Sequence, residues 1–538
     1  MEKNALIAVV LSILILIFYQ EWMKRYYTTP PPSPPKEQTQ PKEPKKITST
    51  PLSPPGGQPK IQAPRFVEGP AREVRVETDQ YIAVFTSRGA RLKSFILKHY
   101  RMEVDPKSPP FEMVSVAPGL PLPLGVELET PNPSDDGEIL YTVEGSDLRL
   151  TGEAKGHLLF RARTPGGRTL VKGFAFAGSS YPIQMELSVD GSEKVPAGVK
   201  LISDGKDKGS KGDSVFEGLL GLVDNRIKRL PGDEIANGQE WKGTISWAGF
   251  GHTYFLSALL PESGEAQRVT VRQEGTGPVM RLQGEAGLAP GEKSRYTLFV
   301  GPKDLDVLKS VGNGLERSID FGYFAFVALP LLSVLRFFHR FTGSYGADII
   351  LLTVLIKLLL APLTHKSFVS MKQMQKLQPQ MERLKEKFKD DKEGLNKEIM
   401  ELYRRNKVNP FGGCLPMVLQ IPVFIGLYNS LLTPIELRHA PFFWIRDLSR
   451  PDWESLPLHI AGWDMGIPVL TVLMGASMFL QQWMTPSAGD PNQRRMMLMM
   501  PLVFTVMFVT FPAGLTIYWL VNNVLSIAQQ YLINRLSR

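Results

Sequence analysis

The 538-residue sequence predicts an α-helical polytopic membrane protein of six transmembrane helices, five of them in a C-terminal core, plus an extracytoplasmic all-β sandwich domain. Three observations predict it. Long apolar runs gather after about Ser310, although mean hydropathy over the whole chain is near zero. Short alternating runs, parted by Gly, Pro, Asp and Ser, fill roughly residues 65–300. Lys and Arg are unevenly shared among the loops between the apolar runs.

The first element is a signal-anchor span over residues 1–27. Ala5 to Phe18 is apolar apart from Ser12. Tyr19, Trp22, Lys24 and Arg25 follow it as interfacial anchors, where a cleaved signal peptide would show an Ala-x-Ala type site. Residues 28–64 are rich in Pro, Lys, Thr and Gln. They cannot bury a core and read as an extended tether.

Residues 65–310 read as the β-sandwich. Val74-Arg-Val-Glu-Thr, Tyr81-Ile-Ala-Val-Phe, Met185-Glu-Leu-Ser-Val and Tyr296-Thr-Leu-Phe-Val alternate as half-buried strands do. Trp241 and Trp247 are core aromatics or, on a ligand-binding sandwich, stacking platforms. Gly205-Lys-Asp-Lys-Gly-Ser-Lys-Gly lacks P-loop spacing and is a polar loop.

Residues 311–345 are amphipathic and aromatic. They predict a helix in the interface plane, interrupted at Pro330, with a seventh span as the alternative. The core, residues 346–538, holds five apolar segments: 348–364, 415–433, 466–484, 496–511 and 513–533. The last two form one run broken at Pro512-Ala-Gly514, too long for a single span, so the break predicts a tight hairpin. Ile349 to Leu363 would cover only about 22 Å of a hydrocarbon layer about 30 Å thick. Spans that short thin the bilayer or hold water.

Loop charge sets the topology. Residues 365–414 contain twelve Lys and Arg, and residues 434–463 contain three. Arg494 and Arg495 mark the 485–495 loop, and Arg535 and Arg538 mark the C-terminus. These basic segments belong in the cytoplasm, and the β domain belongs outside. With six spans the N-terminus is cytoplasmic as well.

The basic loop is patterned. Met371, Met374, Leu377, Met381, Leu384 and Phe388 recur at helical spacing; Asp391-Lys-Glu-Gly interrupts, and Leu395, Ile399 and Leu402 resume. This predicts a helical hairpin over 365–414 with an apolar seam, kinked at Pro379. Its basic face suits lipid headgroups, RNA or a targeting factor, or is simply solvated.

Lys357 stands out among the candidate site residues. It lies inside Ile349-Ile-Leu-Leu-Thr-Val-Leu-Ile-Lys-Leu-Leu-Leu-Ala-Pro, where a Lys at mid-span costs about 2.5–3.5 kcal/mol. It snorkels to the interface or faces a wet cavity. Thr353 precedes it by one turn, and Gln420, Asn429, Ser430, Ser477, Gln481, Gln482, Asn522 and Asn523 dot the other spans. Such amides form interhelical hydrogen bonds or line a hydrated groove. No carboxylate lies deep in a core span to neutralise Lys357. Fourteen of the twenty methionines lie after residue 365, suiting gap-filling or a surface that accepts many partners.

Net charge is +9, compatible with an anionic membrane or RNA. Cys414, the single cysteine, excludes an intramolecular disulfide; beside Gly412 and Gly413 it reads as a packing residue. Walker A, His-Glu-x-x-His, Gly-x-Ser-x-Gly and Cys/His metal spacings are all missing, so no enzyme, metal or cofactor is expected. A secondary transporter would show internal repeats and ionisable pairs at mid-membrane. A membrane-anchored periplasmic binding module would leave the five core spans unexplained.

Lys376-Leu-Gln-Pro379, Lys407-Val-Asn-Pro-Phe-Gly-Gly-Cys-Leu-Pro416, Gln420-Ile-Pro-Val-Phe424 and Phe511-Pro-Ala-Gly-Leu515 with Tyr518-Trp519 resemble the YidC membrane protein insertases over the whole chain. The resemblance implies a bacterial inner-membrane protein with a periplasmic β domain. It also implies a hydrophilic groove that inserts nascent membrane proteins, alone or with the Sec translocon. Ribosomes, the signal recognition particle or its receptor, and the phospholipid bilayer are the further partners implied. The groove's positive residue, usually Arg in the family, is Lys357 here, keeping the charge without the guanidinium fork. Thr353, Gln420, Phe424, Tyr518 and Trp519 fall on the family's groove motifs, and Tyr is frequent at the position of Trp519. Lys376, Gln378, Pro379, Arg383 and Lys385 fall on its cytoplasmic hairpin.

Overall fold

In the computed structural model residues 70–538 are described, apart from 115–119, 129–133, 165–166, 191–193, 209–213, 263–266, 276, 285–288, 390, 407, 409–414, 457–458, 461–462, 465, 486–490 and 537–538. The expected anchor and tether, and most of the 407–416 motif, lie outside the described residues.

Alternating side chains build the β domain. Ile183–Asp190 buries Ile183, Met185, Leu187 and Val189 and turns the residues between them outward. It sits within a nine-stranded sheet. In spatial order the strands are Arg226–Leu230, Phe216–Val223, Ile245–His252, Phe255–Pro261, Lys293–Pro302, Ile183–Asp190, Thr169–Ala177, Lys155–Arg163 and Thr142–Glu144. Two smaller sheets, of five and six strands, pack on this platform and make the sandwich. Phe85 of the five-stranded sheet meets Phe160, Phe174 and Phe176 of the platform. Trp241 of the six-stranded sheet lies over Gly221, where a Cβ would come within 2.9 Å of its ring. Trp241 and Trp247 are both buried, as core aromatics are.

A buried ion network ties the three sheets together. Lys172 of the platform, fully buried, reaches Asp136 at 2.5 Å and donates to the carbonyls of Gly89 and Leu124. Arg91 of the five-stranded sheet pairs with Asp135 and Asp136. Lys200 of the six-stranded sheet pairs with Asp135 at 2.8 Å and Glu127 at 2.7 Å. Tyr141 donates its hydroxyl to Asp136 at 2.8 Å. Buried charges persist only when answered in this way.

The chain leaves the sandwich through helix α1, Leu305–Val311, capped by Asp304, whose carboxylate accepts from the amides of Asp306 and Val307. Helix α2, Ala325–Thr342, follows a short 3₁₀ turn at Leu315–Ser318. It buries Ala328, Leu332 and Leu335 at helical spacing and exposes Phe326, Phe337 and Phe341. The expected interruption at Pro330 does not occur. Pro330 is the sixth residue of a continuous helix, and the carbonyl it orphans, that of Phe326, lies on the exposed first turn. Gly426 faces Val327, where a Cβ would approach to 2.8 Å, so the helices meet closely there.

Helix α3, Tyr345–Lys376, is long and apolar enough to cross a membrane and runs on without a break into the hairpin. The hairpin continues as α4, Gln378–Lys387, and α5, Lys392–Arg405. The first arm is broken as expected near Pro379: the helix is interrupted at Leu377, and Pro379 stands at the start of α4, where its missing N–H costs nothing. Asp391 caps α5 by accepting from the Gly394 amide at 2.8 Å. The remaining core helices are α6 (Leu415–Leu432), α7 (Val469–Met484), α8 (Pro491–Phe508) and α9 (Ala513–Leu536). Arg494 and Arg495, expected in a loop, lie in the first turns of α8.

The break at Pro512-Ala-Gly514 is the expected hairpin, and it is docked. The amides of Ala513 and Gly514 donate to the carbonyls of Arg450 and Leu448, and the Trp453 indole donates to the Val509 carbonyl. Asp452, in the same loop, caps α7 through the Leu470 amide and the Thr471 hydroxyl. That loop also grips the β domain. Arg438, nearly buried, donates to the carbonyls of Arg101 and Met102 and lies over the rings of Phe111, Tyr254 and Phe255 at 5.3–6.0 Å. Arg336 of α2 pairs with Glu436 and with Asp306.

Two stability tests follow from the sandwich. Lys172→Met leaves Asp136 buried without its ammonium, and is expected to cost about 3–5 kcal/mol in urea unfolding of the full chain followed by tryptophan fluorescence. An unchanged midpoint would show that the network is not a staple. Burial of His252 pushes its pKa from 6.5 down to about 3, so the folded imidazole stays neutral while the unfolded one takes a proton below pH 6.5. Its contribution is complete above pH 6.5 and is lost as pH falls from there towards 3. The urea midpoint should therefore drop between pH 7 and pH 5, and drop less in His252→Gln.

Candidate functional site

Helix α9 organises the site because its polar side chains form two stripes at helical spacing. Asn522, Ser526 and Gln529 face α3, one or two turns apart. Lys357 donates to Asn522 Oδ1 at 3.3 Å and to Ser526 Oγ at 2.5 Å. Gln529 donates to the Ala361 carbonyl at 3.3 Å. Asn523 and Gln530 face α7 instead, donating to Ser477 Oγ at 2.9 Å and to the Met484 carbonyl at 2.6 Å. The last core helix thus fastens α3 and α7 together by hydrogen bonds, which apolar contact alone would not specify in lipid.

The Lys357 ammonium is half-buried, while its neighbours Leu358 and Leu359 point outward from the bundle, each at least two-thirds exposed. Its partners are a neutral amide and a neutral hydroxyl. Among the described residues it forms no ion pair, so no carboxylate there cancels its charge. Thr353 is buried, and its hydroxyl is spent on the Ile349 carbonyl of its own helix at 2.6 Å.

One to two turns nearer the docked hairpin the lining changes from polar to aromatic. Gln420 of α6 donates its amide to the Tyr518 hydroxyl, which is itself buried. Trp519 meets Phe424 edge-on at 5.1 Å, and lies 6.2 Å from Phe504 and 5.1 Å from Phe508. Phe508 stacks on Phe511 at 4.8 Å, and Phe511 meets Tyr428. Counted along α9 at 1.5 Å per residue, Trp519 lies about 9 Å from Ala513, and Asn522 and Ser526 about 14–20 Å from it. The aromatic layer therefore separates the Lys357 cluster from the docked hairpin.

Of the residues expected at the groove, the structure brings Lys357 to α9 and joins Gln420 to Tyr518 and Phe424 to Trp519. It leaves Thr353 facing its own backbone. Sequence reading named Asn522 only as one amide among many, and passed over Ser526 and Gln529. The signal for them was the four- and seven-residue spacing of polar groups along an otherwise apolar helix.

The hairpin residues occupy a second place. Lys376 ends α3, and Pro379, Arg383 and Lys385 are exposed on α4. Gln378 donates to Glu382 at 3.4 Å. The seam between the arms holds the buried Met381, whose sulfur accepts from the Tyr403 hydroxyl at 3.2 Å. Beside it opens a cleft of about 220 Å³ lined by Gln380, Arg383, Leu384, Lys387, Glu398, Leu402 and Arg405. Among the described residues no group of His, Cys, Asp and Glu could hold a metal ion.

Residues 73–334 match the YidC periplasmic domain, and residues 337–538 match the 60Kd inner membrane protein family. The membrane protein insertase YidC of Pelobacter propionicus is 40% identical over 556 aligned residues, covering 100% of this chain and 99% of that protein. That of Syntrophus aciditrophicus is also 40% identical, covering 99% of this chain and 100% of that protein. A crystal structure of an active YidC insertase with its first transmembrane domain resolved covers 85% of this chain and 92% of its own, at 18% identity and a TM-score of 0.37. Full-length identity at this level in two relatives decides the matter: the chain belongs to the YidC family of membrane protein insertases.

Proposed function

We propose that this chain inserts nascent membrane proteins into the bacterial inner membrane through a polar groove centred on Lys357, with six spans, both termini in the cytoplasm and the β domain in the periplasm. Membership of an insertase family carries the general function, and that family is not one of enzymes. The groove rests on one observation: a cation at mid-span whose partners, Asn522 and Ser526, are both neutral. A salt bridge there would cancel the field. Neutral partners leave it to act on acidic residues of a passing chain.

Two features support the direction of travel. The aromatic layer of Phe424, Phe504, Phe508 and Trp519 lies on the side of the docked hairpin, which the loop charges assign to the periplasm. The polar stripe lies on the side of the basic hairpin, assigned to the cytoplasm. Helix α6 has 18 residues and α7 has 16, about 27 and 24 Å, short of a hydrocarbon layer of about 30 Å. A bilayer thinned around them lowers the cost of passing a polar segment.

In this reading the hairpin of 365–414, with Lys376, Gln378, Pro379, Arg383 and Lys385, receives the chain from the ribosome, the signal recognition particle or its receptor. The groove hydrates its polar N-terminal region. Its apolar segment then leaves past Phe424 and Trp519 into lipid or towards the Sec translocon. About twenty apolar residues at −0.3 to −0.6 kcal/mol each release about 6–12 kcal/mol, so transfer needs no nucleotide site. Helix α2 lies in the interface as a brace between the β domain and the core.

Photocrosslinking to a ribosome-stalled small membrane protein tests the path. Probes at Gln420 and Trp519 should give strong adducts, and a probe on the exposed face of the β domain should give none. Absence of adducts at both positions in a folded protein would overturn the groove. Deleting residues 66–300 separates insertase from binding module, because every groove residue comes from the helices. Insertion should survive the deletion, and its loss would move the active surface to the β domain.

A further inference from the structure

We infer that Asn522 and Ser526 form a resting cradle for the Lys357 ammonium, holding it back until a substrate carboxylate displaces them. They are thus positioning residues that set how strongly the groove prefers acidic substrates. The inference deepens the groove reading and rests on it.

The hydrogen-bond directions are consistent with a cradle. Ser526 sends its own proton to the Asn522 carbonyl at 2.7 Å, which leaves a lone pair of Oγ for Lys357. Asn522 offers Oδ1, an acceptor only. Residues 522 and 526 are one turn apart on one helix face, so both reach the same nitrogen. Lys357 uses two of its three N–H donors on them. The third has no protein partner among the described residues, so an arriving carboxylate has a donor to meet first.

Exchange then depends on the charge of the acceptor. A carboxylate adds the attraction of opposite charges to the hydrogen bond it accepts from an ammonium, which a neutral amide or hydroxyl cannot do. An acidic segment therefore outcompetes the cradle, and a neutral one does not. Other bonds of α9 remain when these two side chains are removed. Asn523 and Gln530 hold it to α7, and Gln529 holds it to α3 through the Ala361 carbonyl.

The test uses the full chain in proteoliposomes, with the double variant Asn522→Ala/Ser526→Ala and, separately, Lys357→Ala. Two matched single-span substrates differ by one Asp or Asn in the translocated segment. Acylation of Lys357 by an amine-reactive reagent is read by mass spectrometry. In the double variant, acylation of Lys357 should rise several-fold, and the ratio of Asp to Asn substrate inserted should rise with it. In Lys357→Ala that ratio should fall to one. Wild-type acylation in the double variant, or an equal loss of both substrates, would overturn the cradle. A several-fold rise in acylation with a ratio that Lys357→Ala does not alter would show that Asn522 and Ser526 shield the ammonium, but would overturn both their role in acidic preference and the charge-attraction reading of the groove.

Discussion

A cation placed in an apolar helix must be answered from a neighbouring helix, and the helical half of this protein is arranged around that constraint. Hydrocarbon offers neither water nor a hydrophobic drive to hold helices in register. Lys357 draws α9 against α3, and once α9 is placed its other polar face fixes α7 through Asn523 and Gln530. Three core helices are thus tied together by five side chains of one of them. The aromatic layer follows, because the register that puts Asn522 beside Lys357 also brings Trp519 to Phe424, Phe504 and Phe508.

The upper end of that bundle is fixed by a different kind of contact. The 434–468 loop clamps the α8–α9 hairpin with backbone hydrogen bonds and caps α7 with Asp452. Arg438 leaves the same loop to enter an aromatic socket on the β domain, and Arg336 joins α1, α2 and Glu436. The β domain therefore touches the bundle through the loop that closes one end of it, and among the described residues contributes no side chain to the Lys357 cluster. Its own integrity rests on Lys172, Arg91, Lys200 and their carboxylates.

Much of this was legible in the sequence, and the reasons for the rest are physical. Period-two alternation marked the strands, because one face of each is buried. The apolar stripe from Met371 to Leu402 marked the hairpin, and Pro512-Ala-Gly514 marked the turn. Proline misled at Pro330, which is carried inside a helix because its orphaned carbonyl is at an exposed end. Pairings were not legible. Lys357 and Ser526 are 169 residues apart, and no local spacing says which amide or hydroxyl will meet the cation. Nothing local marks Arg438 for burial, because its socket is built from residues more than 180 positions earlier.

Neutral partners for Lys357 explain why the site can be both stable and responsive. A buried carboxylate would hold the ammonium too well to be displaced and would leave no net field. No partner at all would leave the full cost of a mid-span Lys, about 2.5–3.5 kcal/mol. Two charge-assisted hydrogen bonds at about 1.5–3 kcal/mol each roughly offset that cost without cancelling the charge. The side chain is then held near balance, where a stronger acceptor can take it. Lys suits this better than Arg would, because three donors on one compact nitrogen can be passed singly from one acceptor to the next, whereas a guanidinium fork engages its partners together.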